Sequence, residues 1–190
     1  MSKLISVLKE EIHSDISEDH YIIDKILPFV LNSNIDELFS QANDCIDDEN
    51  FSESLIFYDL ILKKDSKNIH ALIDKGTTLQ NLGRIKLAIR SYDKALDISP
   101  DNIDALVNKG SAFHLDKKYS DAISCYDRAL KIDKKCPMAL AYKGLSLAEL
   151  GQLKEAIAYF KNALSIDKHY DLAQLSKDTA QELLKSLQGK

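Results

Sequence analysis

Apolar and polar residues alternate along this chain with the spacing of amphipathic helices, and the helical blocks themselves recur. SYDKALDISP (91–100), CYDRALKIDK (125–134) and YFKNALSIDK (159–168) are one phrase with small edits. Gly76, Gly110 and Gly144 stand 34 residues apart, as do Ala88, Ala122 and Ala156; Tyr92, Tyr126 and Phe160; and Ala95, Ala129 and Ala163. Self-similarity at a fixed period of this size predicts stacked helical hairpins. Two antiparallel helices approach closely only where a side chain is nearly absent, so glycine on one helix meets alanine on the other. The aromatic then fills the wider gap one turn away. Leu72, Leu106 and Leu140 belong to the first helix of each hairpin. Gly83 and Gly151 mark the turn, where Lys117 replaces glycine in the middle copy.

The period and these residues resemble the tetratricopeptide repeat (TPR), a helix–turn–helix unit of about 34 residues. Pro100 sits where that family usually ends its second helix, while Lys134 and Lys168 take its place in the next two copies. The resemblance implies an all-α fold, an α-solenoid in which TPR-type hairpins stack into a right-handed superhelix. In this frame residues 69–102, 103–136 and 137–170 are clear repeats. Residues 35–68 are a divergent one, with Leu38, Ala42, Phe51, Ser54, Tyr58 and Ile61 matching in type. Leu4, Ile5, Val7, Leu8 and Ile12, then Tyr21 to Leu27 before Pro28, predict a helical pair over 1–34. It is read as a divergent repeat or cap, with partner binding or occupation of a groove as its alternative roles. Residues 171–190 are expected to form one capping helix, apolar through Leu172, Leu175, Leu183, Leu184 and Leu187 and polar on the other side.

Composition narrows the function. The 190 residues are 45% hydrophobic, enough for a continuous core, and the net charge of −5 with a pI near 5.5 provides no general basic face for nucleic acid or anionic membrane. No apolar run approaches the roughly 20 residues of a spanning helix. Glutamates interrupt any signal-peptide core in MSKLISVLKEEIH. Cys45, Cys125 and Cys136 are odd in number and far apart, which favours a reduced, cytoplasmic location.

Candidate chemistry is sparse. His13, His20, His70, His114 and His169 are scattered, without metal-ligand spacing. Phosphate-loop, dinucleotide and nucleophile-elbow motifs are absent. The acidic DDEN run (47–50) lacks the alternating oxygens and glycine of a calcium loop. The expectation is no catalytic, cofactor or metal residue, and a function that resides in a surface.

The TPR resemblance implies which surface: the first helix of each repeat lines a concave groove that holds a peptide or partner helix. By that analogy the groove comprises Phe39 and Asn43; Ile73, Asp74 and Thr77; Asp104, Val107, Asn108 and Ser111; Met138, Tyr142 and Leu145; and Leu175. Phe39, Ile73, Val107, Ala141 and Leu175 form an apolar row, one per repeat. No groove position is lysine or arginine, whereas the co-chaperone branch of the family grips a C-terminal carboxylate with two lysines, an arginine and two asparagines. Docking of acidic chaperone tails is therefore not expected. Lys75, Lys109, Lys143 and Lys177 recur every 34 residues, read either as stems packed between helices with their ammonium groups in water or as a cationic ladder for an acidic partner. These features point to a non-catalytic protein–protein interaction scaffold, monomeric or weakly dimeric. Its expected partner is an apolar, neutral-to-basic protein or peptide, neither nucleic acid nor membrane. The alternative is a self-associating structural module that uses the N-terminal helices.

Overall fold

Asn34 caps the first described helix by accepting a 2.8 Å hydrogen bond from the Glu37 backbone, while the Glu37 carboxylate accepts one from the Asn34 N–H, a reciprocal capping box. The computed structural model describes residues 33–188, and these are all-helical, in nine helices with no strand among them. The expected helical pair over 1–34 falls almost wholly outside the described residues. The helices are α1 (Ile35–Asp47), α2 (Phe51–Lys64), α3 (Ile69–Asn81), α4 (Ile85–Ile98), α5 (Ile103–Leu115), α6 (Tyr119–Ile132), α7 (Pro137–Glu149), α8 (Leu153–Ile166) and α9 (Asp171–Gln188). The fold class is that of an α-solenoid.

Local chemistry repeats with the helices. Asn68 accepts from the Ala71 N–H and Asn102 from the Ala105 N–H, so asparagine caps recur 34 residues apart, as Asn34, Asn68 and Asn102. After the second helices, Asp65, Asp133 and Asp167 each accept from the backbone N–H two residues on, closing the turn into the next hairpin. Between the two helices of each hairpin one residue is left-handed: Glu49 (φ 58°), Gly83 (φ 72°), Lys117 (φ 59°) and Gly151 (φ 77°). Glycine takes that conformation without strain and the other two do not.

The chain divides into two compact units, residues 1–71 and 72–190. In the described part of the first, α1 packs on α2 around Leu38, Ala42, Phe57, Tyr58 and Ile61. In the second, α5 packs on α6 and α7 on α8. Each second helix also meets the following first helix, α4 with α5, α6 with α7 and α8 with α9, while α5, α7 and α9 lie side by side. The close approach expected at the glycines is present, but Gly76, Gly110 and Gly144 each meet the aromatic ring itself and not an alanine, because the ring lies in the space that the missing side chain leaves. A Cβ on Gly110 would come within 2.5 Å of the Tyr126 ring, and one on Gly144 within 2.6 Å of Phe160. Tyr92 closes on Gly76 in the same way. Ala88, Ala95, Ala122, Ala129, Ala156 and Ala163 are fully buried.

The last helix departs from expectation. α9 turns Ala173, Ala180 and part of Leu184 inward, whereas Leu175, Leu183 and Leu187 are exposed. A pure cap would be polar outside. Here small residues make the contact with the stack, and three of the leucines expected to make it face out.

Candidate functional site

The first helices of the second unit are stitched to one another by side chains on their shared face. Tyr92, held against Gly76, lies with its hydroxyl 3.3 Å from Thr77 Oγ1 and donates to Gln80 Oε1 at 3.4 Å. Gln80 Nε2 then crosses to α5 and donates to Ser111 Oγ at 3.1 Å. The next interval uses different residues for the same purpose: His114 Nδ1 lies 2.9 Å from Ser146 Oγ on α7. Tyr119 packs edge-on against the His114 ring and donates its hydroxyl to Glu149. Tyr142 stacks on Tyr126 with ring centroids 6.2 Å apart.

Burial sets the electrostatics of this face. Loss of hydration raises the Tyr92 pKa to about 12, the Thr77 hydrogen bond pulling the other way and the Asp74 charge adding to the rise. Burial likewise pushes Tyr126 up, and its hydroxyl is enclosed without a hydrogen-bond partner among the described residues. Burial lowers the His114 pKa, with the Glu149 carboxylate opposing it. Both tyrosines and His114 are neutral structural groups at pH 7.

The expected groove residues separate into distinct populations. Asp104 and Met138 are exposed and Asn108, Tyr142 and Leu145 half-buried, on first helices that lie side by side. Thr77 and Ser111 are on the same face but engaged in the network above, and Asp74 is half-buried. Ile73, Val107 and Ala141 are buried, so the expected apolar row is mostly core and does not present a ligand-facing strip. Only its last member in this unit, Leu175, is exposed. Phe39 and Asn43 belong to the first unit, where Phe39 meets Tyr58 edge-on at 6.3 Å and Asn43 is exposed.

The recurring lysines have a role that neither sequence reading captured. Lys109 pairs with Asp93, and Lys143 pairs with Asp127 at 2.6 Å while donating to the Tyr159 hydroxyl at 2.7 Å. Each ties a first helix to the second helix of the repeat before it. Lys177 turns instead to Gln174 and Asp178 on its own helix. Burial acts to lower the Lys143 pKa, but its bonds to Asp127 and Tyr159 outweigh that and hold it above the ordinary value. A free cationic ladder is therefore not what Lys109 and Lys143 provide. The signal was present in the sequence, since Asp59, Asp93 and Asp127 recur at the same period as the lysines.

Among the described residues no group of three or more histidine, cysteine or carboxylate side chains is placed to hold a metal ion. Cys45, Cys125 and Cys136 are not joined in disulfides, and no described helix is long and apolar enough to cross a membrane.

Sequence profiles described as Tetratricopeptide repeat match residues 103–136 and 137–170, and one described as TPR repeat matches 78–117. Residues 78–170 are tetratricopeptide repeats. No curated protein matches it. Among solved structures this TPR chain is similar to MamA, at 24% identity and a TM-score of 0.66, with 74% of this chain and 82% of that one covered. It is similar to MamA 41-end from Desulfovibrio magneticus RS-1 at 20% identity and a TM-score of 0.64, covering 82% and 93%. It is also similar to the first TPR of Spaghetti (RPAP3), solved bound to the HSP90 peptide SRMEEVD, at 25% identity and a TM-score of 0.60, covering 64% and 96%. These neighbours agree with the TPR fold.

Proposed function

We propose that this TPR chain is a non-catalytic scaffold that seats a segment of a partner protein on the first-helix face of its second unit. The segment is apolar and neutral-to-basic. The observation that carries this reading is the charge of the face: Asp74, Asp104 and Glu149 stand on α3, α5 and α7, and its first-helix positions include no lysine or arginine. The nearest recurring cations, Lys109 and Lys143, are occupied by Asp93 and Asp127. A carboxylate-rich ligand such as the SRMEEVD peptide of the RPAP3 complex would meet like charge and find no cation to offset its desolvation. A basic segment instead reaches the aspartates while its apolar side chains cover Met138, Tyr142 and Leu145.

A peptide array probed with wild type and Asp104→Lys tests this. Asp104 is exposed, so the change leaves the core intact. Wild type should favour basic, apolar peptides, and Asp104→Lys should lose them. Dominance of acidic peptides among the wild-type hits, or an unchanged pattern in the variant, would overturn the reading.

A further inference from the structure

One position of the repeat changes character at the last helix. Ile73 is 7% exposed, Val107 2% and Ala141 0%, whereas Leu175, the next in the series, is 70% exposed. In the earlier repeats a following first helix lies alongside; beyond α9 no described helix does. Leu183 and Leu187, at 49% and 60% exposed, extend the same stripe at helical spacing.

A further hairpin of the same kind does not fit on α9. The side that would receive a second helix carries Gln174, Asp178 and Gln181, where α7 has Leu140, Gly144 and Leu147. Asp178 would stand where glycine admits the aromatic ring. The leucine stripe is thus open to a single helix, not to a repeat. Beside it runs an exposed acidic row, Asp171, Asp178 and Glu182, in which Asp178 also bonds Gln174.

We propose that the outer face of α9 docks one basic amphipathic helix of another protein, which lies against the leucine stripe and directs lysine or arginine to Asp171 and Glu182. The inference rests on the scaffold reading but concerns a different face. Charge complementarity selects the occupant. Two segments of a second copy are poor occupants: α1 carries Asp36, Glu37, Asp44 and Asp47 and no basic residue, and residues 1–32 hold six carboxylates against three lysines. Either would bring acid to acid.

The probe is a dye-labelled synthetic helix with leucine at every third or fourth position and lysine on its flanks, followed by fluorescence anisotropy on the full chain. The same helix with glutamate for lysine is the comparison. The lysine helix should bind wild type, and Leu183→Ser with Leu187→Ser should weaken it by about tenfold or more, as expected for central apolar anchors. These leucines are exposed, so circular dichroism should show unchanged helix content. Asp171→Lys with Glu182→Lys should reject the lysine helix and accept the glutamate one. Asp104→Lys should leave binding unchanged. If Asp104→Lys abolishes binding, the helix sits on the groove and the α9 proposal fails while the scaffold reading stands. Equal binding of the glutamate helix, no effect of the serine pair, or wild-type self-association lost in the serine pair would each overturn it.

Discussion

The Lys143 ammonium donates to Asp127, on the second helix of the preceding repeat, at 2.6 Å, and to the Tyr159 hydroxyl of its own repeat at 2.7 Å. One side chain thereby joins α6, α7 and α8. The Lys143 side chain is only 10% exposed and Asp127 is 45% exposed, so the two ends of the pair differ in what their loss leaves behind. Removing Asp127 strands a desolvated cation; removing Lys143 leaves a carboxylate that water can reach. Asp127→Ala should therefore cost about 1–3 kcal/mol, and Lys143→Met less, because an apolar stem of similar shape still packs between the helices. Urea unfolding of both singles and the double gives the coupling directly. A Lys143→Met variant less stable than Asp127→Ala would show that the aspartate does not carry the pair.

Lys117 holds φ at 59° where Gly83 and Gly151 hold 72° and 77°. A side chain in that region is strained, by roughly 1–2 kcal/mol for an ordinary residue. Lys117→Gly should raise stability by about 1 kcal/mol, the relief being partly offset by the greater freedom of glycine in the unfolded chain. Thermal melts check it, with Gly83→Lys as the reverse experiment expected to lower the midpoint.

Tyr126 encloses its hydroxyl without a partner among the described residues, whereas Tyr92 finds Thr77 and Gln80, and Phe160 has no hydroxyl to place. Tyr126→Phe should be neutral or stabilising by up to about 1 kcal/mol, because a buried unsatisfied group is removed while the ring still fills the space over Gly110. Tyr92→Phe, which breaks a satisfied pair, should destabilise. The contrast between the two melts is the measurement.

His114 supplies a pH dependence. Burial depresses its folded pKa below the ordinary 6.5, so the folded state disfavours the charged ring. The unfolded chain takes up the proton first as pH falls. The stability contributed by neutral His114 is complete above 6.5 and is lost as pH falls through the folded value. Melting temperature followed from neutral to mildly acidic pH should fall, and His114→Gln should flatten part of that slope. A slope identical in the variant would place the pH dependence in other groups.

The stack was legible because close packing leaves few choices and contact recurs, although the pairing within a hairpin was not: glycine was expected to meet alanine and meets the aromatic ring instead. The expected groove was less legible. A helical wheel shows which positions share a face but not which of them the neighbouring repeat covers, and Val107 and Ala141 prove to be core. The Lys143–Asp127 pair was missed because its partners, 16 residues apart, meet only after a turn and most of a helix pair intervene. At α9 the count of leucines was right, but their direction was not. Ala173 and Ala180, small enough for close approach, turn inward in place of Leu175, Leu183 and Leu187.

The lysine–aspartate joints have a mechanical consequence. Opposite charges meet between α4 and α5 and again between α6 and α7, but one period later the aspartate position is occupied by Lys161, and Lys177 turns to Asp178 on its own helix. Salt then acts unevenly along one molecule, screening the attraction that ties the two inner joints while leaving the last seam to its apolar contacts. Added salt should therefore narrow the difference between that seam and the others.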